Sequence, residues 1–238
     1  MFNSKFSSLI PVCGSAVALF LSATSAEALT LNSSSGTWGP TNGGSNIQYV
    51  TVGSEKQVRW GDPATQNGQS GLGFTGVGPL AFNVNQIFQV GTLSHFNQPI
   101  WSGSAASVGL SIGLDFLEAG LQNFGFSLNI DETPNALPCA YSGATVCPDK
   151  ISLANAFPEE GFIVGGVQYT LELLGFSNTA GSPLVSDFIS EEGGTSTTYL
   201  YAQVTEVPVE DVPEPMGLLG LLATAAVGIG RRLCLQSK

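Results

Sequence analysis

The stretch "ASVGLSIGLDF" (106–116) decides the fold class. Val108, Leu110, Ile112, Leu114 and Phe116 recur at every second position, with small or polar residues between them. Successive side chains of an extended strand point to opposite faces, so this spacing puts one apolar face on a strand and none on a helix. "LQNFGFSLNID" (121–131) repeats the pattern with Phe124, Phe126, Leu128 and Ile130. Between the two, "DFLEAGLQNF" has room for one short turn.

Working outward, the same alternation, broken by Gly, Asn and Pro, predicts further strands. They fall in "NIQYVTVG" (46–53), "KQVRWG" (56–61), "IFQVGTLSHFN" (87–97), "KISLANAF" (150–157), "FIVGGVQYTLELLGF" (162–176) and "TTYLYAQVTEV" (197–207). Eight or more short strands with turn signals between them argue for an all-β fold, an antiparallel β-sandwich of jelly-roll type. Glycines inside several strands point to bulges or close backbone approach.

Composition fits that reading and narrows the function. Only 11% of the 238 residues are charged and 30 are Gly. Within 29–215 the basic residues are Lys56, Arg59 and Lys150, heavily outnumbered by Asp and Glu. Such a body does not neutralise phosphates, which excludes nucleic acid as a partner and disfavours docking on anionic lipid. Carboxylates are the oxygen ligands Ca²⁺ takes, but "DETPN" (131–135) and "PEEG" (158–161) lack the spacing of a calcium loop. No cofactor is expected, with Ca²⁺ the one ion the composition leaves open.

The first 28 residues have the three parts of a secretory signal. Lys5 supplies the basic region, Leu9 to Leu21 the apolar core, and Ala26-Glu27-Ala28 the small residues that signal peptidase accommodates. Leu29 is then expected to begin the mature protein. Cys13 leaves with the signal, and Cys234 lies near the C-terminus. The body keeps Cys139 and Cys147, in "PCAYSGATVCP", and in an oxidising compartment these two form a disulfide worth roughly 2–3 kcal/mol.

Catalytic signals are sparse. His95 is the single histidine, and Ser94 beside it would point to the opposite face of a strand, unsuited to a nucleophile–base pair. His95 and Asn97 are expected to hydrogen-bond the backbone of a tight turn ending in Pro99, with ligand binding as the alternative. Asp115, Glu118, Asp131 and Glu132 could supply a glycosidase-type pair if they converged. Trp38, Trp60 and Trp101 can stack on sugar rings if they lie at the surface, or pack in the core.

"VPEPMGLLGLLATAAVGIGRR" (212–232) closes the reading. Residues 216–230 as a helix would be about 22 Å long, short of the roughly 30 Å hydrocarbon layer. Arg231 and Arg232 would hold its end on the cytoplasmic side. The order of Val212-Pro213-Glu214-Pro215, apolar run and arginines closely resembles the PEP-CTERM sorting signal. That resemblance implies recognition of Val212, Pro213, Glu214 and Pro215 by an exosortase, a membrane-embedded protease-transpeptidase. It also implies release or transfer to the cell surface, in hosts that make exopolysaccharide.

"SSGTWGP" (34–40), "VRWGDPATQNGQSGLGFTG" (58–76) and "FQVGTLSHFNQPIWSG" (88–103) resemble the THxN family of PEP-CTERM proteins and the choice-of-anchor K domain. Ser94 stands where that family's motif has Thr, and His95, Phe96 and Asn97 keep the rest. The resemblance brings no biochemical activity with it.

The expected organisation is a signal peptide at 1–28, an extracellular β-sandwich at 29–206, a linker at 207–211 and the sorting signal at 212–238. Within the last, the motif is 212–215, the transmembrane run 216–230 and the basic tail 231–238. The expected function is that of an exported, non-enzymatic surface or matrix protein. A carbohydrate-binding module using Trp60, His95, Asn97 and Trp101 is the first alternative, and an extracellular glycan hydrolase the second.

Overall fold

The computed structural model describes residues 28–142, 146–154, 161–179 and 182–208. The signal segment before Ala28 and the whole sorting signal lie outside these residues, as does most of the linker. Among the described residues no helix is long and apolar enough to cross a membrane.

Among the described residues fifteen strands form: β1 (Ala28–Gly43), β2 (Gln48–Val52), β3 (Glu55–Trp60), β4 (Asp62–Pro63), β5 (Ser70–Gly76), β6 (Leu80–Asn83), β7 (Ile87–Asn97), β8 (Ile100–Ser102), β9 (Ala105–Phe116), β10 (Gly120–Asp131), β11 (Asp149–Leu153), β12 (Gly161–Val164), β13 (Val167–Ser177), β14 (Asp187–Ser190) and β15 (Gly194–Glu206). One sheet runs β14-β11-β10-β9-β1-β6 and a second runs β12-β13-β15-β7-β5-β3-β2, with β4 and β8 as a separate short pair. Every strand pairing is antiparallel. The fold is therefore all-β and sandwich-like.

Alternation explains which residues face inward. Val108, Leu110, Ile112, Leu114 and Phe116 of β9 are buried, and so are Phe124, Phe126, Leu128 and Ile130 of β10. The two strands form a hairpin that turns at 117–119. "FIVGGVQYTLELLGF" resolves into β12 and β13, joined through Gly165 and Gly166. Both glycines have positive φ (58° and 89°), as a two-residue turn matching the twist of a hairpin requires.

The sheets lock together through aromatics. Phe116 of β9 stacks on Phe162 of β12 at 5.0 Å, and Phe82 of β6 stacks on Phe88 of β7 at 4.0 Å. Phe74 of β5 sits where Gly36 and Gly91 leave room. A Cβ at Gly36 would lie 2.8 Å from the ring Cγ, and one at Gly91 would lie 2.5 Å from Cε2. Trp38 of β1 donates its Nε1–H to the Lys56 carbonyl of β3 (2.7 Å), which ties one sheet to the other. Pro40, which cannot donate to the ladder, falls where the β1–β9 register shifts between Trp38 and Thr41.

Candidate functional site

Both sheets carry their apolar rows toward one end of the core and then turn polar there. On β10 the inward positions Leu128 and Ile130 are followed, in the same phase, by Glu132. On β11, Ile151 is preceded by Asp149, and on β14, Phe188 is followed by Ser190 and then by Glu192 just past the strand end. In the opposite sheet Leu93 of β7 is followed by His95 and Asn97. Period-two alternation puts all of these on the inner side. Asp149, Ser190, His95 and Asn97 are fully buried, while Glu132 and Glu192 are half-buried.

Three carboxylates meet at this end. Ligand oxygens of Glu132, Asp149 and Glu192 lie within 4.8 Å of one another. Asp149 Oδ1 accepts the Thr133 backbone N–H (2.8 Å), and the Thr133 hydroxyl oxygen lies 3.3 Å from it. Among the described residues, Asp149 Oδ2 and Glu132 Oε2 have no hydrogen-bond partner, and the Glu192 carboxylate has only the Asn135 side chain to answer it. Ser190 is the direct cross-strand neighbour of Asp149, so their side chains share a face, and its buried hydroxyl also lacks a partner. Asn97 reaches across the sheets and donates its Nδ2–H to the Ser190 carbonyl (2.9 Å), and its backbone carbonyl accepts the Gly193 N–H (2.8 Å).

The loop between β10 and β11 supports this arrangement. The Cys139–Cys147 disulfide closes it, and the Thr133 hydroxyl donates its one proton to the Pro148 carbonyl (3.1 Å), with the Cys147 carbonyl also in reach (3.3 Å). The pair inferred from cysteine spacing is thus the pair that forms. It braces the turn that brings Glu132 against Asp149.

Electrostatics follow from burial without a counter-charge. Burial pushes the Glu132 carboxyl up to about 8, and Asp149 and Glu192 push it the same way. Burial likewise raises Asp149 to about 7; the Thr133 N–H opposes the shift and Glu192 adds to it. Glu192 is raised by burial, with the Asn135 side chain opposing. Every charged neighbour that acts on Glu132 is another carboxylate. Such a group either holds protons at neutral pH or holds a cation.

The residues singled out as ligand contacts divide sharply. Trp60, His95 and Asn97 are fully buried, whereas Trp101 on β8 is 77% exposed. Trp38 is also buried, so Trp101 is the one tryptophan at the surface. Asn97 bonds the backbone of a distant strand rather than the turn before Pro99, and neither ring nitrogen of His95 finds a partner among the described residues. His95 lies opposite Leu72 of β5 and Ser196 of β15. Burial, and secondarily the Arg59 charge, lowers its pKa to about 3, so the imidazole is neutral. Ser94 faces away and donates to Glu55 (2.6 Å).

The four carboxylates considered as a glycosidase pair do not converge. Asp115 and Glu118 sit at the turn end of the β9–β10 hairpin, where Asp115 accepts from Asn32 and Glu118 from the Thr30 N–H. Asp131 and Glu132 lie at the far end of β10, roughly 30 Å away at about 3.3 Å per residue. Asp131 instead accepts from the Tyr141 hydroxyl. Ala28 opens β1 as an exposed residue, and Leu29 is the first residue of the core. Ala26, Val212 to Pro215, Arg231 and Arg232 lie outside the described residues.

Sequence reasoning named Glu132 and Asn97 but not Asp149, Ser190 or Glu192. A signal was present: Asp149 and Ser190 are polar residues in the inward phase of a strand, one step beyond its last apolar residue, and Glu192 continues the β14 phase just past the strand end. A scan against protein-family models and a search of curated proteins return no match to this chain.

Proposed function

We propose that this chain is an exported, non-enzymatic protein delivered to the cell surface or extracellular matrix by exosortase processing. The observation that carries the reading is the tripartite C-terminal sequence: Val212-Pro213-Glu214-Pro215, an uncharged run, then Arg231-Arg232, in a chain that opens with a secretory signal. Signal peptidase acts after Ala28, and the apolar run holds the chain in the inner membrane until the motif is cut. The cysteine pair and the acidic, weakly charged body suit an extracellular protein. The body is a jelly-roll-like sandwich that serves the envelope or exopolysaccharide matrix.

The C-terminal mass of the mature protein, compared between wild-type cells and an exosortase deletion, tests this directly. Processing predicts a wild-type chain that ends near Pro215 and a deletion strain that keeps Lys238. An intact Lys238 terminus in wild-type cells refutes it.

A second reading is carbohydrate binding through Trp101. Its support is a large apolar ring 77% exposed on the short β4–β8 strand pair, and aromatic faces stack on the C–H surfaces of sugars. Retention of the protein on the host's exopolysaccharide, lost in Trp101→Ala without a change in melting temperature, is the expected result. Equal retention of the variant removes Trp101 from the account.

A further inference from the structure

We propose that Glu132, Asp149 and Glu192 form a calcium-binding site that closes one end of the core, with Ser190 beside it and Asn97 holding the β14 end in place. The proposal does not depend on where the protein resides.

Two independent observations point to a cation. One is the convergence of three carboxylates, with Asp149 Oδ2 and Glu132 Oε2 left without a donor and only other carboxylates as charged neighbours of Glu132 and Asp149. The other is the Ser190 hydroxyl: fully buried, without a partner, and on the same face as Asp149 in the adjacent strand. A buried hydroxyl left unbonded costs free energy that a metal ligand does not.

Donor chemistry and size select the ion. All donors are oxygens, which suits Ca²⁺ or Mg²⁺ and not the softer metals that seek His or Cys. Three points no more than 4.8 Å apart lie within about 2.8 Å of a common centre. That radius is a few tenths of an ångström beyond Ca–O distances of about 2.3–2.6 Å and well beyond the roughly 2.0–2.1 Å of Mg–O. Asp149 offers Oδ2, since Oδ1 is held by Thr133, and Glu132 offers Oε2. Glu192 offers a carboxylate oxygen. Ser190 supplies another donor, and water would complete a shell of 6–8. The raised carboxyl pKa values agree, since they record the cost of ionising these groups without a counter-ion.

The test uses the full chain in detergent, stripped with EDTA and titrated with CaCl₂ or with MgCl₂ by calorimetry, alongside thermal melting. Calcium is expected to bind one-to-one and, at a hundredfold excess over its Kd, to raise the melting temperature by about 5–10 °C. Magnesium at equal concentration is expected to do much less. Glu132→Gln/Glu192→Gln should weaken calcium binding at least about tenfold, while Glu172→Gln, on β13 in the other sheet, should leave it unchanged. Asp149→Asn guards against simple misfolding. It should melt higher than wild type in EDTA, because a buried repulsion is gone, yet gain nothing from calcium. No calcium-dependent shift in wild type, an equal shift from magnesium, or a full shift in the Glu132→Gln/Glu192→Gln protein overturns the proposal.

Discussion

Acidification should destabilise this fold through His95, by an amount the structure sets. Burial and the nearby Arg59 charge depress its pKa from 6.5 to about 3. The folded state therefore holds fewer protons than the unfolded state between those values, and stability falls as pH drops through that window. At about 1.36 kcal/mol per pH unit, the loss relative to neutral pH is about 2 kcal/mol at pH 5 and about 3 kcal/mol at pH 4. Other groups titrate in the same range, so the informative quantity is a difference between two proteins. His95→Leu keeps the volume, faces the same Leu72 and removes two buried ring nitrogens that have no partner among the described residues. It should equal or exceed wild type at pH 7.5 and lead it by about 2 kcal/mol more at pH 5. Urea unfolding of both proteins at pH 7.5, 6 and 5, with the disulfide intact and calcium fixed, measures this. In melting terms, the extra lead at pH 5 is about 4–8 °C. A wild-type-minus-variant difference that stays flat from pH 7.5 to 5 would refute the reasoning, because the ring would then have to be solvated or bonded in the fold.

Other perturbations test the rest of the framework. Gly36→Ala drives a methyl into Phe74 and should cost about 1–3 kcal/mol by urea unfolding, much of it recovered in Gly36→Ala/Phe74→Leu; a neutral single variant would contradict the slot. Cys139→Ser/Cys147→Ser opens a short loop and should lower stability by about 2–3 kcal/mol, and it should also weaken calcium binding because Thr133 and Asp149 lose their brace. In EDTA the folded-state pKa values of Glu132 (about 8) and Asp149 (about 7) exceed their unfolded values, so the folded state holds the extra protons. The calcium-free His95→Leu protein should therefore melt lower as pH rises from about 5 to 8, and adding Asp149→Asn should flatten that slope.

Legibility in the sequence varies with how local each signal is. The β7, β9, β10 and β15 segments announce themselves because alternating large apolar residues need no outside information. By contrast, β1 reads as a polar lead-in, since Ser33, Ser34, Ser35 and Gly36 have little intrinsic strand preference. It is a strand because β9 pairs with it along most of its length and because Gly36 admits the Phe74 ring. The glycine-rich β5 escapes for the same reason: its role is to sit between β3 and β7, which no window of sequence displays. His95 and Asn97 stand out in the sequence, but as turn-bonding or ligand-facing residues. The register of β7 seats both in the interior instead.

By itself the sequence determined the all-β class, the Cys139–Cys147 pairing and the acidic, weakly charged surface. These follow from alternation, from two cysteines close along the chain and from simple counting. Only the tertiary structure decided that Glu132, Asp149 and Glu192 meet, and that Trp101 alone among the tryptophans reaches the surface. The physical reason is that period-two alternation says which face a side chain takes and nothing about what lies across from it. Sheet order and register bring the ends of β10, β11 and β14 together. The packing of two sheets then makes that end an interior, where three carboxylates must answer for their charge.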